Sequence, residues 1–355
     1  MKLIDVSGFG HSGKTAVSDL LREFENVKVH DHSFEFGLLR LPDGILDLEH
    51  HLCGNWSPLR SDRAVKRFRK LCQILSSGYH KNLNDMFLEK SVNYLESLID
   101  GKLFVGGWFD PIYEPLPSNP TRDILKQMGL WGIARTLYRL FPSKTKQVSQ
   151  KSEVFLSSPV DFIEKTRNFL EEILSRGPLE DGEVVVTNNM MEPFSPERSI
   201  KFFDNAYCVV VERDPRDVYA SVVEYENSFV PAFEANNKKF SRQFLKNLKE
   251  DMLGTDNLDS FIIRQKLYHR NKKTEQSGRI IRLNYEDLVL NYQGTVNKLL
   301  NQLGLSPTDH LYKKKFFDPE ISKQNVRIWE KFNVSHEIKK IESELPELLH
   351  SGFND

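Results

Sequence analysis

The run Leu3-Ile4-Asp5-Val6 is apolar and β-rich, and it ends at a glycine-rich turn. Beyond the turn, Ala16, Val17, Leu20, Leu21 and Phe24 recur at helical spacing, which predicts strand, loop, helix. Similar short β-rich runs stand at Val27–Val29, Leu103–Val105, Val184–Thr187, Tyr207–Val211 and Ile280–Leu283, most of them separated by long helical stretches. Such alternation predicts an α/β three-layer sandwich, a central and mostly parallel sheet covered on both faces and joined by right-handed crossovers. The pattern leaves the strand order open.

Two stretches interrupt the alternation. From about 111 to 181 the spacing predicts helices rather than strands, entered through a proline-rich segment, and so a helical insertion. A second insertion, about 228–257, is polar and amphipathic and reads as a lid over the site. No repeat or low-complexity tract breaks the chain, so residues 1–355 read as a single domain.

Composition sharpens this. The chain has 355 residues, 39% hydrophobic, and its 49 basic and 50 acidic residues nearly cancel. No global field then favours nucleic acid, and an anion site must be built from local groups. The three cysteines, Cys53, Cys72 and Cys208, form no C-x-x-C pair and read as reduced and structural. The start of the chain lacks the apolar core of a signal peptide, and no long apolar run spans a membrane, so the expected compartment is the cytoplasm.

The loop after the first strand reads Gly8-Phe-Gly10-His11-Ser12-Gly13-Lys14-Thr15, which matches G-x-x-x-x-G-K-[ST] between a strand and a helix. Glycines let successive N–H groups and the helix N-terminus face a phosphate, and Lys14 adds a charge. Gly10, His11, Ser12, Gly13, Lys14 and Thr15 are therefore the first nucleotide-binding candidates. The fold expected is a P-loop-type sandwich.

The second constellation is Glu212-Arg213-Asp-Pro-Arg216-Asp-Val-Tyr-Ala-Ser221, which places Arg213 at the carboxyl end of a strand. Asp214 suits a helix N-cap and Pro215 its first turn, so Ser221 lies about two turns on. Arg213 and Ser221 are then placed to bracket a second phosphate.

This segment resembles the 3′-phosphate-binding motif of the sulfotransferases that use 3′-phosphoadenosine 5′-phosphosulfate (PAPS). The resemblance continues at Arg282-Leu-Asn-Tyr-Glu-Asp-Leu-Val289, at Leu303-Gly-Leu305, and at Ser322-Lys323-Gln-Asn-Val-Arg327-Ile-Trp329, similar to a basic loop that closes over the nucleotide. It implies PAPS as donor, adenosine 3′,5′-bisphosphate as product, no metal, and Lys323 and Arg327 among the nucleotide ligands. One departure stands out. His11 occupies the position where the family usually has Lys or Arg, and Lys14 stands where its first threonine would be.

For the chemistry, sulfuryl transfer needs positioning and charge stabilisation. Lys14 and the loop N–H groups suit the leaving 5′-phosphate, with His11 contributing if protonated. A general base is expected after the second strand. Glu35 is the first candidate, because Phe34 and Phe36 flank it and apolar surroundings would raise its pKa; Asp31 and His32 are the reserves.

Acceptor contacts are less legible. The stretch 41–51 reads either as an acceptor site or as a turn and an acidic helix start. The run Arg60–Lys70, with six basic residues, reads either as an anionic-glycan site or as a solvated helix face. Leu130–Phe141 has the pattern of a basic amphipathic helix, either in peripheral membrane contact or packed in the core. A carbohydrate or glycolipid precursor is the expected acceptor. Two other functions fit the loop: an ATP- and magnesium-dependent kinase with Thr15 on the metal and Glu212 or Asp214 as its acidic partner, and a non-catalytic nucleotide-binding protein.

Overall fold

Alternate residues along the central strands are apolar on both sides, which only a sheet buried on both faces accommodates. The computed structural model describes residues 2–30, 34–83, 86–106, 129, 151–175, 183–223, 258–332 and 335–353. Its main sheet has five parallel strands, β1 (Lys2–Gly8), β2 (Val27–Val29), β5 (Val184–Asn188), β6 (Ala206–Glu212) and β7 (Ile280–Asn284), in the order β2-β5-β1-β6-β7. Leu3, Val185 and Val210 face one apolar cluster, and Ile4, Val186, Val209 and Val211 face the other.

Helices α2 (Pro58–Asn82), α3 (Phe87–Leu98) and α4 (Phe162–Leu174) fill the first cluster with Phe68, Tyr94, Phe169 and Ile173. The helix α1 (Lys14–Arg22) contributes Val17, Leu20 and Leu21 to the second, with Leu288 and Leu299. The chain is thus the three-layer α/β sandwich that the alternation predicts.

Two expectations change. Residues Gly101–Gly106 form β3, but this strand does not join the parallel sheet; it pairs antiparallel with β4, Lys151–Leu156, as a separate ribbon. The stretch 111–181 is therefore not helical throughout. In β4 Val154 and Phe155 are both buried, Phe155 in the first apolar cluster; the strand packs on α2, and α4 belongs to the core. The rest of the expected helical insertion apart from Gly129, including Leu130–Phe141, and the whole of the expected lid at 228–257 lie outside the described residues. No described helix is long and apolar enough to cross a membrane.

β1 runs on to β2 on one side of the sheet and β6 to β7 on the other, so their carboxyl ends open a crevice, the usual ligand position in such sheets.

Candidate functional site

At the mouth of that crevice the chain turns from Gly8 into α1. His11 (φ 62°) and Gly13 (φ 82°) are left-handed. Glycine is needed at 13, where a Cβ would lie 2.4 Å from the Tyr285 ring as well as on a left-handed backbone. At Gly8 a Cβ would meet Ser12 Oγ at 2.3 Å. The backbone therefore curls tightly over the start of α1, whose first N–H groups have no earlier turn to bond and face an incoming anion.

The turn forms one wall of a cavity of about 600 Å³. Ser12, Lys14, Thr15, Arg213, Ser221 and Asn325 are among the residues around it, and Ser12 Oγ is buried without a hydrogen-bond partner.

Arg213 leaves the end of β6 and the helix α5 (215–223) follows, with Asp214 capping it by accepting from Arg216 N at 2.9 Å. The spacing brings Arg213 and Ser221 together: Nη1 donates to Ser221 Oγ at 3.1 Å and to the His11 carbonyl at 2.9 Å. Nη2 donates to the Asn325 carbonyl at 2.6 Å, and the guanidinium lies over the Tyr285 ring at 5.2 Å. Arg213 thus also ties the loop to the C-terminal segment, a structural role that the motif alone does not reveal. Asp217 completes the tie by accepting from Arg327 N and Ile328 N at 3.0 and 2.6 Å. Burial raises its carboxyl to about 6 against the opposing pull of Arg213.

Lys14 reaches out of the loop to Glu35, Nζ to Oε1 at 2.5 Å. Asn189 Nδ2 donates to the same oxygen at 2.7 Å, and Arg40 Nη2 to Oε2 at 2.8 Å. This overturns the expected environment of Glu35. The flanking Phe34 and Phe36 pack around Tyr79 in the core, and the extended backbone sends Glu35 to the opposite side, towards cations. Burial alone would push its carboxyl up, but Lys14, Asn189 and Arg40 together hold it below its ordinary value. His11 is corrected likewise. Burial, then Arg213, lower its pKa, so the imidazole is neutral at pH 7 and brings no fixed charge to the loop.

At the C-terminal segment Lys323 pairs with Glu320 at 2.7 Å and Arg327 with Glu330 at 2.5 Å, and neither is among the residues lining the cavity. Lys314 and Lys315 line it instead. The buried carboxylate of Glu23, at the end of α1, fixes their loop by accepting from Lys314 N (3.0 Å), Phe316 N (2.9 Å) and Phe317 N (3.0 Å) while it pairs with His310 at 2.7 Å. Sequence reading missed Glu23, Arg40, Asn189 and both lysines. Only the run Lys313-Lys314-Lys315 gave a signal, as local positive charge.

Asp31 and His32 lie outside the described residues. The stretch 41–51 is a turn followed by a short helix, Ile45–Glu49, that continues as a π-helical turn, His50–Gly54. In the run 60–70 the helix buries Ser61, Val65 and Phe68, while Lys66, Arg67 and Arg69 pair with Asp62, Asp43 and Glu96. Glu212 is engaged by Lys272 and Arg282, each at 2.6 Å, and Asp214 by Arg216 at 2.7 Å; neither carboxylate lines the cavity with Thr15. Among the described residues no group of three or more His, Cys, Asp or Glu is placed to hold a metal ion.

Comparison with known proteins finds similarity to one family. No curated protein matches the chain in sequence. Among solved structures, the sulfotransferase domain of the Synechococcus PCC 7002 olefin synthase is 12% identical, covers 97% of this chain and 94% of its own, and has a TM-score of 0.40. Sulfotransferase STF1 of Mycobacterium tuberculosis H37Rv is 13% identical over 92% of this chain and 76% of its own, with a TM-score of 0.38. Retinol dehydratase in complex with androsterone and the inactive cofactor PAP is 15% identical over 99% of this chain and 82% of its own, with a TM-score of 0.33. The sulfotransferase family model matches residues 135–309, a stretch that contains Arg213, Ser221 and the Tyr285–Leu288 helix start. Over that stretch, just under half of its length, the chain is similar to the sulfotransferase family.

Proposed function

We propose that the protein moves a sulfuryl group from PAPS to an acceptor hydroxyl, that of a carbohydrate or glycolipid precursor. One observation carries the donor: the glycine-rich loop and the Arg213–Ser221 pair line the same cavity of about 600 Å³. A donor with phosphates at both its 5′ and 3′ positions uses both; a nucleoside triphosphate has no group for the second. The residues fit such a donor. Lys14, Lys314, Lys315 and Arg213 supply positive charge around the cavity, and Ser12 Oγ offers a buried, unused hydroxyl.

In this reading the acceptor oxygen attacks sulfur, the bond from sulfur to the bridging oxygen of the 5′-phosphate breaks, and the hydroxyl proton passes to Glu35. Lys14 and the N–H groups at the start of α1 stabilise the charge that grows on the leaving phosphate. Glu35 sits beside Lys14, where an acceptor approaching the sulfuryl group would meet it. The free cysteines, two of them buried, support a reducing compartment, the cytoplasm.

Melting curves test the donor. Adenosine 3′,5′-bisphosphate without magnesium is expected to stabilise the protein, by about 2.7 kcal/mol at a hundred times its Kd. Stabilisation by ATP with magnesium alone would favour the kinase reading.

A further inference from the structure

Asn189 stands one residue past β5 with a left-handed backbone, φ 48°. Asparagine tolerates that conformation better than most residues. Its main chain is held on both sides: its N–H donates to the Val6 carbonyl at 3.1 Å, and its carbonyl accepts from Arg40 Nε at 2.8 Å. The next two N–H groups, of Met190 and Met191, bond the buried Asp5 carboxylate at 2.9 and 2.8 Å. The side chain therefore leaves a fixed point.

The partners of the amide settle its orientation. The N–H of Gly8 only donates, so Oδ1 faces it, at 3.0 Å; ionised Glu35 only accepts, so Nδ2 faces it, at 2.7 Å. A flipped amide would set donor against donor at one end and acceptor against acceptor at the other.

We infer that Asn189 is a positioning residue, whose carboxamide fixes Glu35 relative to the backbone of the anion-binding loop and so registers the acceptor's base against the donor. The inference rests on the reading of Glu35 as base. Lys14 does not hold Glu35 in the same lasting way, because a phosphate in the cavity competes for its ammonium. Arg40 reaches Glu35 from the other side and touches Asn189 rather than the loop. Among the described contacts of Glu35, the bridge through Asn189 joins the carboxylate to loop backbone and involves no charge that the donor would attract.

The test follows the Glu35 carboxyl by carbon NMR in the full-length protein labelled at its glutamate carboxyls, the resonance identified by its loss in Glu35→Gln. Asn189→Gly keeps the backbone conformation and removes the donor, and Asn189→Asp sets a carboxylate against Glu35. The midpoint of the Glu35 titration should rise in the first and rise further in the second. Unmoved midpoints in both folded variants would overturn the inference. With a working acceptor, kcat should fall by about 10²-fold in Asn189→Gly, the scale of a 1 Å misplacement, with bisphosphate affinity unchanged. Calorimetry of adenosine 3′,5′-bisphosphate on the same samples separates the two ideas. If the wild-type protein fails to bind it, the donor reading fails, and with it the role assigned to this bridge; binding beside unmoved midpoints removes Asn189 alone.

Discussion

The ammonium of Lys14 lies 2.5 Å from Oε1 of Glu35, so the lysine of the anion-binding loop and the carboxylate after β2 form one ion pair. An anion entering the cavity draws the lysine away from that partner. Lys14→Ala should therefore weaken both PAPS and adenosine 3′,5′-bisphosphate, by about 1.5–3 kcal/mol, the range for a hydrogen bond to a charged group. Exchange against Glu35 puts the loss at the lower end. Titration calorimetry with the two nucleotides measures it, and unchanged affinity for both would take Lys14 out of the site.

Glu35→Gln should leave nucleotide affinity intact or slightly improved, since the lysine is released from its counter-ion. Transfer to an acceptor should slow by about 10²–10⁴-fold, the usual contribution of a general base. Because Lys14, Asn189 and Arg40 keep the carboxyl below its ordinary value, Glu35 is ionised across neutral pH, and the wild-type rate should lack a Glu35 limb there. Normal turnover by the variant would place the base elsewhere.

Glu23 gives a prediction of a different kind. Its carboxylate is fully buried and accepts three main-chain N–H bonds from the loop that carries Lys314 and Lys315. Glu23→Ala strands those main-chain donors, at a cost of about 1–3 kcal/mol for a buried donor left unsatisfied. Urea unfolding should show it, together with weaker bisphosphate binding. An unchanged urea midpoint would mean that the loop is held by other contacts.

Burial raises the Glu286 carboxyl to about 7, where it accepts the N–H of Asp214 at 2.8 Å. A carboxyl whose pKa is higher folded than unfolded binds more protons in the native state, so its contribution is complete at low pH and fades as pH rises from the ordinary carboxylate range through about 7. Glu286→Gln keeps the acceptor and cannot ionise. The melting temperature of the variant relative to wild type should therefore increase by several degrees between pH 5 and pH 8. A difference that stays flat with pH would contradict this account of Glu286.

The sequence displayed the parts of the site that are local. Gly8–Thr15 sits between β1 and α1, and Ser221 comes back to Arg213, because a motif within one turn or one helix carries its own geometry. Contacts between segments were not legible. Asn189 meets Gly8 only because β5 lies beside β1, and Glu23 meets residues almost three hundred positions away. The misreading of Glu35 has the same origin: its aromatic neighbours in sequence are on the other side of the chain in space, and its real neighbours come from α1, from Arg40 and from the end of β5. Leu103–Val105 was rightly seen as β-rich, but nothing in a strand's own residues says which sheet it will join.

The central claim is that Arg213 and Ser221 hold a 3′-phosphate while the loop holds the 5′ end, and calorimetry with adenosine 3′,5′-bisphosphate and adenosine 5′-monophosphate tests it most directly. Ser221→Ala should weaken the bisphosphate about tenfold, the worth of one hydrogen bond to a charged group, and leave the monophosphate nearly unchanged. Arg213→Ala should show a larger difference between the two nucleotides, and Arg213→Lys an intermediate one, since an ammonium lacks the guanidinium's paired donors. Because Arg213 also holds the carbonyls of His11 and Asn325, its loss lowers stability as well, and the ratio of the two affinities is the quantity to read. Equal losses for both nucleotides in all three variants would mean that no 3′-phosphate is bound there, and the PAPS reading would fall.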